Sequence, residues 1–173
     1  MVYDKNIAKL FLLNFNEAYR SAKLLMLSYK RVANLIPINA EFLQKNINED
    51  DMDKLDAFRV RYCDLQDNLG NKTFRTILNL EEEQTGSNLD ILNKMAKRGI
   101  ITFEEWKELR NIRNLFSHDY PETDEEKAEM LNIAYSGTLK LVKTVDNVID
   151  YMEKKINFSM EHFPLLLQNK DEI

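Results

Sequence analysis

An all-α chain is expected here, an up-and-down bundle of four main helices plus one or two short ones. Three observations predict it. Apolar side chains recur at three- and four-residue steps through most of the 173 residues. Two Thr-x-x-Glu capping signals open helices in the second half of the chain, at Thr102 and Thr123. The chain holds only four glycines and three prolines, which leaves little material for the turns of a β fold.

The first helix is expected from about Ile7 to Leu35, with Leu10, Leu13, Ala18, Leu24, Leu25 and Val32 in its apolar repeat and Pro37 to end it. A second long stretch places Met52, Leu55, Phe58, Tyr62, Leu65 and Leu69 at alternating steps of three and four. It continues less regularly through Phe74, Ile77 and Leu80. Gly70 inside it costs about 1 kcal/mol relative to alanine and marks a place for a kink or break. Thr85-Gly86-Ser87 interrupts the pattern. Ser87 with Asp90 then forms a capping arrangement for a short helix that reaches Arg98, with Gly99 just past its end.

Thr102 to Glu105 opens the next helix, which carries Trp106, Leu109, Ile112 and Phe116 as its apolar face, and Pro121 limits its extension. Thr123 to Glu126 opens the last long helix. Its heptad-like seam runs through Leu131, Ala134, Thr138, Leu141, Val145, Val148, Met152 and Ile156, and suits antiparallel packing or dimerisation. The periodicity fades after Asn157, so residues 1–157 read as one helical bundle and residues 158–173 as a C-terminal tail.

Composition narrows the function classes. Cys63 is the sole cysteine, so the chain has no internal disulfide framework and fits a reducing compartment. The opening residues do not read as a signal peptide, and no apolar run approaches the ~20 residues needed to span a membrane, so a cytoplasmic protein is expected. The net charge of −5 repels polyanions in general. Between Lys94 and His118, however, six basic residues stand against three acidic ones, a local excess suited to a small RNA site. The acidic blocks Glu49–Asp53, Glu81–Glu83 and Glu122–Glu129 read as solvated helix faces and starts.

Several familiar chemistries find no support in the sequence. It has no Gly-rich phosphate loop. No cysteine pair or closely spaced histidine pair offers a metal site, and neither His118 nor His162 has the glutamate three positions earlier that a di-metal bundle requires. Ser117-His118-Asp119 fails as a catalytic triad because adjacent residues point to different faces. Cys63 reads as a buried, inert thiol. His162 falls in the tail and is assigned no role.

The segment Arg110 to Pro121 stands apart. It gathers a permanent cation, Arg113, a histidine, His118, that titrates near neutral pH, and a phenol, Tyr120, at a helix end. That set suits phosphate chemistry. The pattern Arg113-Asn114-x-x-x-His118-x-Tyr120 resembles the R-N-x-x-x-H-x-Y signature of the HEPN superfamily, in its HepT-type toxin branch. The resemblance covers the signature and the helical layout from about Ile7 to Ile156. It implies an α-helical homodimer acting as a metal-independent endoribonuclease toxin, with RNA as substrate and no cofactor. It also implies a minimal nucleotidyltransferase antitoxin that adenylylates the motif tyrosine, here Tyr120. An alternative of a different class is a non-catalytic HEPN-like subunit that binds a nucleotide or a nucleotidyltransferase.

The chemistry of these side chains fits the first reading. RNA transesterification needs a base for the 2′-hydroxyl, an acid for the leaving oxygen and a cation for charge building on phosphorus. His118 titrates near ~6.5 and serves either proton role. Arg113 stays charged and offers a planar fork to two phosphate oxygens. In a continuous helix the two lie ~140° out of line at ~100° per residue. They converge if the helix loosens near Phe116 to His118, or if a dimer brings opposing pairs together; the family resemblance implies the dimer. Arg110, one turn before Arg113, widens the phosphate-binding surface. Asn114 is either an amide contacting phosphate or His118, or a helix-terminal hydrogen bonder.

Overall fold

The computed structural model of the chain describes residues 3–117 and 121–167, and no strand occurs among them. Helix α1 spans Lys5–Val32 and starts where the Asp4 carboxylate accepts hydrogen bonds from the N–H groups of Asn6 and Ile7, at 2.8 and 3.1 Å. A 3₁₀ turn, Ala33–Leu35, ends it ahead of Pro37. The expected apolar repeat divides here into two stripes. Phe11, Phe15, Ala18, Ala22, Leu25 and Val32 enter the core, whereas Leu10, Leu13 and Leu24 remain 45, 58 and 45% exposed. The apolar repeat of α1 is therefore two stripes, an inner and an outer one. The inner one carries the aromatic rings, which bury the larger apolar area when the helix docks.

Helix α2 (Glu49–Asp67), a wide π turn (Asn68–Thr73) and α3 (Phe74–Leu80) follow one another without a break. The irregularity expected at Gly70 is this π turn. The extra residue shifts the apolar register, so that Leu65 before it, Leu69 within it and Phe74 and Ile77 after it are all buried. A Cβ on Gly70 would sit 3.2 Å from Cζ2 of Trp106, so the missing side chain lets the indole pack against the turn. Met52, expected in the apolar repeat, is half-exposed near the start of α2.

Helix α4 (Asn88–Lys97) begins at the expected capping box of Ser87 and Asp90, and Gly99 takes the left-handed conformation just beyond it, with φ +72°. Helix α5 (Phe103–Ser117) begins where Thr102 Oγ1 accepts from the Glu105 N–H at 3.3 Å and donates to the Glu105 carboxylate at 2.9 Å. Helix α6 (Asp124–Lys154) begins at Thr123, which caps the Glu126 N–H.

The long rods close into a bundle. α2 packs along α1 and α5, and α6 packs against α1, α2 and α5. The α6 seam from Leu131 to Met152 is buried throughout. It is consumed by packing inside the chain, the first of the two roles its spacing suits, so these residues are not themselves exposed for dimerisation. Residues 158–167 lie on the bundle: Tyr19 donates to the Pro164 carbonyl at 2.8 Å, and Phe163 meets Phe15 edge-on. The N–H groups of Leu166 and Leu167 donate to the buried Asp146 carboxylate at 2.7 and 3.0 Å. Among the described residues no helix is long and apolar enough to cross a membrane.

Candidate functional site

Trp106, Leu109, Ile112 and Phe116 anchor α5 in the core. That anchoring sets the helix rotation and turns Arg110, Arg113 and Asn114 toward a common side, since residues three and four apart share a helix face. All three line one cleft of about 170 Å³, walled by α2, the π turn, α4 and α5. The opposite wall supplies Gln66, Asp67, Asn71 and Asn88, and Trp106 forms part of the lining. One cationic fork, one exposed arginine and four neutral amides thus face the same space. Such a lining offers hydrogen-bond donors to a phosphate or to a base edge.

Arg113 is not idle in this cleft. Its Nε donates to Asp67 Oδ1 at 2.9 Å and its Nη2 to Asp67 Oδ2 at 2.8 Å, a two-pronged pair across the α2/α5 groove. The Asp67 hydrogen bond holds the guanidinium charge more firmly, against a smaller opposing effect of burial. The same fork geometry fits two oxygens of a phosphate. A phosphate entering here must therefore share Arg113 with Asp67 or displace it.

The far end of α5 is tied to α2. Arg59 Nη1 donates to the Phe116 carbonyl at 3.0 Å, and Cys63 Sγ lies 3.9 Å from the Arg113 carbonyl and 3.6 Å from Ser117 Oγ. Burial pushes the Cys63 thiol up, outweighing the Ser117 hydrogen bond and the Arg113 charge. At neutral pH it is a protonated thiol and a poor nucleophile. His118 and Tyr120, the expected catalytic and modified residues, lie outside the described residues, as does Asp119 between them. Ser117 is the last described residue before them.

The local basic excess is largely spent within the fold. Lys94 binds Glu83 at 3.1 Å and the Gln84 carbonyl at 2.6 Å. Arg98 binds Glu81 at 2.8 Å and also Glu83. With Asp67 on Arg113, three carboxylates from outside the Lys94–His118 segment offset its excess of three positive charges. Asp67, Asn71 and Asn88 had no sequence signal of their own, because they reach the cleft only through packing of α2 and α4 beside α5. Among the described residues no three His, Cys, Asp or Glu side chains gather as a metal site.

Comparison with protein-family models, with curated proteins and with solved structures finds no match.

Proposed function

We propose that the protein is a metal-independent endoribonuclease toxin of a toxin–antitoxin pair, acting as a homodimer, with its cleft beside the C-terminal half of α5 as the seat of the RNA phosphate. The observation that carries this reading is the convergence of Arg110, Arg113 and Asn114 on one amide-lined cleft at the helix end that leads to His118. Arg113 exchanges Asp67 for two phosphate oxygens as RNA enters. The 2′-oxygen then attacks phosphorus while its proton passes to one His118. The 5′-oxygen leaves with a proton from the His118 of the second copy, giving a 2′,3′-cyclic phosphate and a 5′-hydroxyl.

An apolar hollow near the same helix end supports a second copy there. It is lined by Leu115, Pro121, Met130 and Ile133 together with Glu126 and Glu129, and Leu115 and Ile133 are both exposed. RNA cleavage measured in EDTA tests the reading. Wild type is expected to cut and to change rate across about pH 6 to 8, following the imidazole, whereas His118→Ala does not cut. Strict magnesium dependence with 3′-hydroxyl products would overturn it. In the same scheme a nucleotidyltransferase partner silences the enzyme by adding AMP to Tyr120, whose added bulk and negative charge oppose RNA binding. Tyr120→Phe is then expected to keep cutting and to escape silencing, with no AMP added in an intact-mass measurement.

A second reading is favoured by the Arg113–Asp67 pair: a non-catalytic subunit in which this pair is purely structural and the cleft holds a nucleotide or a nucleotidyltransferase surface. It predicts nucleotide binding without RNA cleavage, unchanged by His118→Ala.

A further inference from the structure

The outer stripe of α1 points away from the core and leaves its leucines exposed. It comprises Leu10, Leu13, Glu17, Arg20, Leu24, Leu27 and Arg31, spaced alternately by three and four residues, a seven-residue repeat. Its four leucines are 45, 58, 45 and 53% exposed in chain order. Arg20 is exposed, and Glu17 stays partly exposed although Lys72 binds its Oε2 at 2.6 Å. Four outward leucines in one row over ~26 Å of helix are a surface that associates rather than one that stays in water.

The order of residues in the stripe says what covers it. Turned end for end about a point between Ala18 and Tyr19, six of its seven positions match, with Arg31 left outside the matched set opposite Asn6. Leu10 meets Leu27, Leu13 meets Leu24, and Glu17 meets Arg20, each pair occurring twice. Two antiparallel copies of α1 thus form apolar layers at both ends and two opposite-charge pairs in the middle. A parallel alignment instead sets Glu17 against Glu17 and Arg20 against Arg20, so the charges specify orientation as well as register. A foreign helix needs only the leucines and has no use for mirror-placed opposite charges. Lys9 and Lys30 are exposed on α1 as well.

We infer that the outer face of α1 is a homodimer interface, in which α1 of one copy packs antiparallel on α1 of a second about a twofold axis between Ala18 and Tyr19. This goes beyond the proposed function. α1 packs on the π turn that forms one wall of the cleft, but no residue of α1 lines the cleft itself, so α1 pairing leaves its lining unoccupied. Combined with a contact at the end of α5, it builds a dimer of dimers with two different twofold axes.

Sedimentation velocity of the full chain at micromolar concentration tests this, with circular dichroism to verify folding. Leu13→Asp, Glu17→Arg and Arg20→Glu are each expected to weaken this contact on the order of tenfold or more and to halve the sedimenting mass. Arg20→Glu places carboxylates on both sides of each central pair, and Glu17→Arg places guanidinium groups on both sides. Mixing those two single variants is expected to restore association as a heterodimer, and the double variant to restore the homodimer. Wild-type protein that sediments as a monomer would overturn the inference. So would variants that keep the wild-type mass, or a mixture that fails to associate. RNA cleavage measured in parallel keeps the two ideas separate, because loss of α1 pairing does not bear on whether His118 cuts.

Discussion

Arg98 and Arg113 stand fifteen residues apart in the same basic segment, and each clasps a carboxylate from another part of the chain, yet their settings differ. Arg98 is 11% exposed and fully enlisted: Glu81, Glu83 and the Lys94 carbonyl surround it, and Glu81 is held in turn by the Tyr151 hydroxyl at 2.6 Å. Burial works against its charge, and the bonds to Glu81 and Glu83 outweigh that cost. Arg113 is 22% exposed, has one acidic partner among the described residues, and opens on a cleft lined with amides. A network with several mutually supporting partners locks α4 to the end of α3. A single pair beside a cavity leaves a fork that a ligand can take over. The same residue type with the same kind of partner is a latch in one place and an exchangeable contact in the other.

The sharpest break in this comparison is expected in activity. Arg113→Ala should lower RNA cleavage by about 100- to 1000-fold, the usual effect of removing one donor to transition-state charge. Its unfolding midpoint in urea should move little, since a partly exposed pair contributes at most about 1 kcal/mol. Arg113→Lys should remain poor, because it keeps the charge and loses the fork. Equal loss of stability in Arg113→Ala and Arg98→Ala would make the two arginines alike and remove the distinction.

Next in size is the latch itself. Arg98→Ala should cost about 2–3 kcal/mol in equilibrium urea unfolding, because Glu81 is left partly buried without its cation. The folded fraction should cut RNA at the wild-type rate. Smaller still is the effect of freeing the fork. Asp67→Asn should tighten binding of a non-cleavable RNA by up to about fivefold, the worth of a partly exposed ion pair. Weaker binding instead would show that Asp67 positions Arg113 rather than competing for it.

The smallest effect is one of pH. Hydrogen bonds from Lys94 and Arg98 hold the Glu83 carboxyl below its ordinary 4.5. A depressed carboxylate stabilises the fold above the unfolded-state value, and that contribution disappears as pH falls through the lower folded value. Wild-type stability should therefore decline as pH drops below about 4.5, and Arg98→Ala should show a shallower decline in that window. Identical slopes would remove Glu83 from the latch.

Much of this architecture is legible in the amino-acid sequence. The starts of α4, α5 and α6 follow from Ser87, Thr102 and Thr123, because a capping side chain satisfies backbone donors only a few residues away and the signal is local. The buried face of α5 was legible for the same kind of reason, since Trp106, Leu109, Ile112 and Phe116 leave one strong stripe and no rival. α1 misled because it carries two stripes, and periodicity reports that a face is apolar without reporting what covers it. The α6 seam shows the converse. It resembles a dimer surface in sequence and is buried within its own chain.

The candidate site divides along the same line. Arg110, Arg113 and Asn114 share a side because helix geometry relates residues three and four apart, and the amino-acid sequence alone determined that. It determined the all-α class too, through period, caps and the scarcity of glycine and proline. Asp67 came to Arg113 from 46 positions away, and Asn88 to the same cleft from the start of α4, only because α2, α4 and α5 dock side by side. Which leucines of α1 face water was settled in the same way, by competition between two stripes for one core. Contacts within one helical turn are properties of the local chain, whereas contacts between rods depend on the summed packing of every other side chain. Tertiary structure alone decided those.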